Sequence, residues 1–179
     1  MKKALLICFL FCATGMSAQE KMVTKTGRIT FEASVPSFEE VKAKNDGVTF
    51  ILNSKTGEVA SLALMKGFRF KIALMEEHFN ENYVESDKYP KATFKGKIED
   101  FDAKALTATA KEYIIRGKIE LHGKSKDVTA VAKIRKTDAG IEISSNFSVE
   151  ASDFDIKIPN VVKSKVSNTI DIRSEFTVK

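Results

Sequence analysis

The residue types that usually carry chemistry are sparse in this 179-residue chain, and none is spaced for it. Histidine occurs twice, at His78 and His122, in neither an H-x-x-x-H nor an H-x-H pattern. Two such residues cannot hold a metal without carboxylate help, so no metal and no cofactor are expected. Cysteine occurs only at Cys8 and Cys12. That excludes a disulfide framework, a thiolate zinc site and a cysteine nucleophile from the body of the protein. Glu76 and Glu77 are adjacent, so on a helix they point about 100° apart and do not form a catalytic pair. Ser, His and Asp all occur, but no G-x-S-x-G elbow does, and the glycines are too dispersed for a phosphate loop. The expectation is therefore a protein that is not an enzyme.

The first residues read as an address. Met1-Lys2-Lys3 is basic, Ala4 to Ala13 is apolar, and small residues lead to Ala18. This is the layout of a secretory signal peptide over 1–18, cut before Gln19. The apolar run is short of the roughly 20 residues that span a bilayer. Lipidation at Cys8 or Cys12 is disfavoured by the bulky Ile7 and Phe11 before them. The mature chain, 19–179, is then one domain, periplasmic or secreted, with no transmembrane segment. The formal charge of +5 falls to +3 without Lys2 and Lys3, too mild to suggest nucleic acid.

Alternation of apolar and polar residues dominates the rest, the mark of half-buried strands. Ile29, Phe31 and Ala33 alternate with charged or polar neighbours. So do Val48, Phe50 and Leu52, then Ala60, Leu62 and Leu64, then Ala92, Phe94, Gly96 and Ile98. Four more runs follow: Ile115 to Leu121, Val128 to Ile134, Ile141 to Val149 and Ile170 to Val178. Two short helices are expected between them. Ser37 and Glu40 form a capping box before Val41, and Asn45-Asp46-Gly47 would stop that helix. The second runs from about Ala73 to Tyr83, with Leu74, Met75, Phe79 and Tyr83 on one face.

Eight or nine strands with one apolar face, and no helix layer to cover it, must close on themselves. The opposite faces carry Lys, Glu, Asp and Arg, which no lipid-facing band would tolerate. The fold expected is all-β, an antiparallel barrel of about eight strands with an apolar interior and one or two short helices.

Small residues recur on the inward face: Ala33, Gly96, Gly117, Ala130, Ala132, Ser145 and Ser174. An eight-stranded barrel is wide enough either to be filled by side chains or to hold one small ligand. Phenylalanine rings could fill the volume, or an apolar guest could. For a guest, the candidate lining is Phe31, Phe50, Leu62, Phe94, Ile98, Ile119, Phe147, Ile172 and Phe176. Asn80, Asn82 and Tyr83 could meet a polar head group, and His78 could cap the barrel mouth. His122, before Gly123 at a strand end, reads most simply as a hydrogen-bonding turn residue. Lys163, Lys165 and their neighbours read as a solvated surface.

Three ordered motifs resemble the YceI-like family. They are Phe68-Arg69-Phe70 with Glu77-His78-Phe79 and Ser86 to Phe94; Gly117 to Lys126 around His122-Gly123-Lys124; and Ser152-Asp153-Phe154-Asp155-Ile156. The resemblance implies a lipocalin-like barrel, exported and not enzymatic, holding a polyisoprenoid or fatty amphiphile. The partner it implies is a hydrophobic or amphiphilic small molecule: an isoprenoid, quinone or fatty-acid-like chain. It also admits a homodimer. Three stretches depart from the family pattern: Glu76-Glu77 where Arg-Asp is usual, Asn80-Glu81-Asn82-Tyr83 where a more apolar run is usual, and Asp155 where Gly is usual. The other reading is a filled barrel, a ligand-free envelope stress or protein-interaction module.

Overall fold

The computed structural model describes residues 20–179, so the expected leader at 1–18, with Cys8 and Cys12, lies outside the described residues. Nine strands follow one another: β1 (Lys21–Ser34), β2 (Lys42–Asn53), β3 (Glu58–Leu64), β4 (Arg69–Phe70), β5 (Lys91–Ile98), β6 (Lys111–Leu121), β7 (Lys124–Thr137), β8 (Gly140–Glu150) and β9 (Val166–Val178). All pairings are antiparallel, in the order β1-β9-β8-β7-β6-β5-β3-β2, and β1 pairs back onto β2. Eight strands thus close a barrel within residues 21–178. The two-residue β4 adds to the start of β2 through Ala43↔Phe70 and Lys44↔Arg69. Closure removes the sheet edges that would otherwise need covering.

Side chains alternate across each strand, and on seven of the eight wall strands the inward set is the one the alternation predicts. The exception is β3. Val59 and Ala63 are buried there, while Leu64 is 56% exposed. Ser61 pairs with Phe50 and Phe94, so it shares their inward face. Leu62 pairs with Thr49 and Thr93 and faces outward. The run Val59-Ala60-Ser61-Leu62-Ala63-Leu64 has apolar residues at both parities, so pairing register, not hydrophobicity, decides its face.

The helix expected after Ser37 does not form. Ser37 has a φ of 73°, whereas a helix N-cap needs an extended backbone. Lys42 to Asn45 instead pair with β1 across Glu32↔Lys42 and Ile29↔Asn45. Asn45 is buried within the strand, donating from Nδ2 to the Leu64 carbonyl at 3.0 Å and accepting from the Gly47 amide at 2.9 Å. The second expected helix is present as α1 (Ala73–His78), continued by a wide turn over Phe79–Tyr83. Glu76 braces it, accepting from Arg69 Nη1 at 2.6 Å and from the Phe70 amide at 3.1 Å.

The two ends of the barrel differ. At one end, Leu52, Ile98, Ile134 and Val178 are fully buried, and Leu106 from the 99–110 connection packs against this core. At the other end lie the long connections 35–41, 65–90 and 151–165.

Candidate functional site

Burial falls along each inward face from the closed end to the end with long connections. On β8, Ile141, Ile143 and Ser145 are buried, then Phe147 and Val149 only half-buried. On β9, Val178, Phe176 and Ser174 are buried, then Ile172 and Ile170 half-buried. On β7, Ile134 and Ala132 give way to Ala130 and Val128 in the same manner. These side chains point inward yet keep accessible surface, because they line an open cavity of about 400 Å³. That volume lies within the usual range of small-molecule sites, roughly 300–1,000 Å³.

Phenylalanines fill part of the barrel and leave the rest. Phe50 and Phe176 stack at 4.1 Å with planes 12° apart and make a floor. Phe176 also lies over Gly27, where a side chain would collide with it. Phe94 covers the cross-strand pair Gly96↔Gly117. Beside the floor, the Ser145 and Ser174 hydroxyls satisfy each other at 2.7 Å. Ala130, Ser145 and Ser174 line the cavity. An aromatic cluster of Phe31, Phe68, Phe70 and Phe79, with centroids 5.2–5.9 Å apart, fastens the 65–83 segment over one side of the mouth. Each such pair contributes about 0.5–1.5 kcal/mol beyond burial. The opposite rim is Ile156, Ile158 and Val162.

The expected lining residues distribute as follows. Phe31, Phe50, Phe94, Ile119, Phe147, Ile172 and Phe176 line the cavity, and His78 and Tyr83 stand at its mouth. Ile98 is fully buried in the closed-end core and touches no cavity space. Leu62 faces outward. Asn80 is off the cavity wall, its Nδ2 donating to the Glu76 carbonyl at 2.8 Å and its Oδ1 buried with no protein partner among the described residues. Asn82 faces a separate polar recess beside the mouth, shared with Tyr83, Glu85, His122, Asp155 and Lys157. Sequence reasoning missed the rim contributed by Met75, Phe79, Ile156, Ile158 and Val162. Ile156-Lys157-Ile158 does alternate, which was the available signal.

His122 ties three connections together at that recess. Its Nδ1 donates to the Phe154 carbonyl at 2.8 Å, and its Nε2 lies 2.8 Å from the Glu85 carboxylate. Both ring nitrogens thus face oxygen acceptors from two different connections. His122, Glu85 and Asp155 all have left-handed φ values of 51°, 45° and 56°. The Asp155 backbone explains why glycine suits that position. Its carboxyl is held below the usual carboxylate range by a hydrogen bond from Lys124 and by that lysine's charge. Burial pushes the Tyr83 hydroxyl above the ordinary phenol range, so it faces the mouth neutral. Among the described residues, no cluster of His, Cys, Asp and Glu is arranged to hold a metal.

A closed antiparallel barrel with an apolar chamber open at one end belongs to the class of lipocalin-like folds. Within it, the chain belongs to the YceI-like domain family, whose sequence pattern matches residues 15–178. Three solved structures share the fold. A polyisoprenoid binding domain from Saccharophagus degradans, implicated in plant cell wall breakdown, has a TM-score of 0.73 at 14% identity, covering 89% of this chain and 98% of that one. Burkholderia cenocepacia BcnA gives 0.69 at 15% identity, over 83% and 94%. The Campylobacter jejuni YCEI protein gives 0.60 at 19% identity, over 81% and 89%. Among curated proteins none matches the sequence at a significant level.

Proposed function

We propose that this protein is an exported carrier that holds one amphiphilic lipid, an isoprenoid or fatty chain, in the barrel cavity. The observation that carries the reading is the inward apolar surface left accessible at Val128, Ala130, Phe147, Val149, Ile170 and Ile172. Exposed apolar surface facing a chamber costs free energy that a bound chain removes, by about 0.8 kcal/mol per buried CH₂. Few polar contacts are then needed for affinity. The head group would sit at the mouth near His78 and Tyr83. Membership of the YceI-like family and the barrel shared with the polyisoprenoid binding domain of S. degradans support the same ligand class. The basic-apolar-small layout of 1–18 supports export to the periplasm or beyond. The wall is predominantly apolar, which supports binding as the reading.

The test is uptake of a fluorescent fatty or prenyl probe by the purified barrel, with Ala130→Phe as the blocked variant. Saturable uptake lost in the variant supports a carrier. Equal signal in both, with both folded, contradicts it. The filled-barrel reading draws on Phe94 and Phe176, which occupy the space over Gly96, Gly117 and Gly27, and it predicts no uptake by either protein.

A further inference from the structure

We propose that the open end of the barrel docks onto an anionic lipid surface, with the 156–165 loop as the principal contact. Among the described residues six large hydrophobic side chains are exposed, and four of them, Phe38, Leu64, Leu74 and Val161, lie at the end with the long connections. All four are chain neighbours of residues that line the cavity: Phe38 of Glu39, Leu64 of Ala63 and Met65, Leu74 of Met75, and Val161 of Val162. On the 65–90 and 151–165 segments the inward neighbours are apolar as well, so these segments carry one apolar face toward the chamber and one outward. Val161 is the extreme case at 84% exposure, at the crest of a tight turn over Asn160–Val162. A side chain so exposed on a rim contributes nothing to the barrel's own core.

Charge identifies the occupant. The loop reads Lys157-Ile158-Pro159-Asn160-Val161-Val162-Lys163-Ser164-Lys165, with three lysines and no acid. Among the described residues none of these lysines forms an ion pair, nor does Lys71 beside α1. Asp155, the nearest acid in sequence, is engaged by Lys124. The rim acids without an ion pair are Glu39, Glu77 and Glu81, all on the other two segments. An exposed apolar tip flanked by free lysines is the pattern of interfacial attachment to anionic headgroups, worth roughly fivefold in partitioning per lysine near the surface. The rim is also continuous with the chamber, so a docked barrel would open directly onto the phase in which an apolar chain dissolves. That last point rests on the carrier reading; the charge and exposure do not.

Vesicle flotation tests the docking. The protein should begin at Gln19, since the apolar run Ala4 to Ala13 would itself bind lipid, and the barrel closes within residues 21–178. It should float with phosphatidylcholine vesicles containing phosphatidylglycerol, and less with phosphatidylcholine alone or in high salt. Lys163→Gln with Lys165→Gln should lower partitioning at least about tenfold. Val161→Asp should do likewise, while Val131→Asp, the same change at a 51% exposed valine on the outer wall, should not. No flotation, or flotation indifferent to the Val161 and lysine changes, overturns the proposal. So does sedimentation showing a dimer that Val161→Asp dissolves, because the face would then serve a second copy. Probe uptake from solution without flotation leaves the carrier and removes only the docking; flotation without uptake does the reverse.

Discussion

The ring of Phe94 occupies the space that a side chain on Gly117 would need: a Cβ built there would lie 2.5 Å from Phe94 Cζ. Gly96, the cross-strand partner of Gly117, is covered by the same ring at 2.6 Å. Small inward residues therefore have two fates in this barrel. Those under Phe94 and Phe176 are filled from within; Ala130, Ser145 and Ser174, on β7, β8 and β9, line the open cavity.

This distinction decides which substitutions block the chamber. Ala130→Phe projects into open cavity and should leave the fold intact while lowering lipid affinity at least tenfold. Gly117→Phe should instead collide with Phe94 and destabilise the barrel, by about 1–3 kcal/mol for overpacking. Ala132, fully buried below the chamber, should behave like Gly117. Probe titration and denaturant midpoints separate the two effects.

Phe94→Ala should act in the opposite sense. Removing the ring uncovers the Gly96–Gly117 pair and enlarges the chamber. A loss of about 2 kcal/mol is expected, below the 3–5 kcal/mol of a fully buried ring because Phe94 is half-buried. Longer or bulkier chains should bind relatively better. A variant with unchanged stability and unchanged chain-length preference would show that Phe94 does not shape the cavity.

Most of this architecture is legible in the sequence, because seven strands carry an unambiguous two-residue period. β3 is not, since Leu62 and Leu64 outweigh Ser61 and Ala63 in hydrophobicity and only pairing with Phe50 and Phe94 sets the face. The capping box at Ser37 is a local signal overridden by the ladder between β1 and β2, although Val41, Lys42, Ala43 and Lys44 do alternate. Ile98 has the correct parity but the wrong depth: period two gives the face of a strand, never the height along the barrel. The rim residues Ile156, Ile158 and Val162 lie in irregular connections, where alternation carries little weight.

The serine pair offers a double-mutant cycle. Ser145→Ala leaves the Ser174 hydroxyl buried without its partner, and should cost about 1–2 kcal/mol. Ser145→Ala with Ser174→Ala removes both polar groups and should recover much of that loss. Additive losses, measured by urea denaturation, would show that the 2.7 Å hydrogen bond is not what holds the two hydroxyls there.

Stability should fall in acid, with a stated sign. The carboxyls of Asp155, bonded by Lys124, and Asp46, bonded by Arg28 and Lys44, are both held below their ordinary value. On acidification the unfolded chain takes up these protons first, so stability drops as pH falls below about 4. The contribution is complete above that value and lost once the folded carboxyls also protonate. Asp155→Asn and Asp46→Asn should flatten the midpoint-against-pH curve between pH about 4 and 2 while lowering the neutral midpoint slightly. A steeper curve in either variant would reverse the assigned sign.

The carrier reading meets its most direct test in native mass spectrometry of the protein purified from the cells that make it, followed by solvent extraction. The account predicts a species heavier than the bare chain by the mass of one amphiphile, released on denaturation and absent from Ala130→Phe. A bare mass for the unaltered protein, with no adduct after incubation with a total lipid extract, would contradict it and leave a barrel whose chamber serves no lipid.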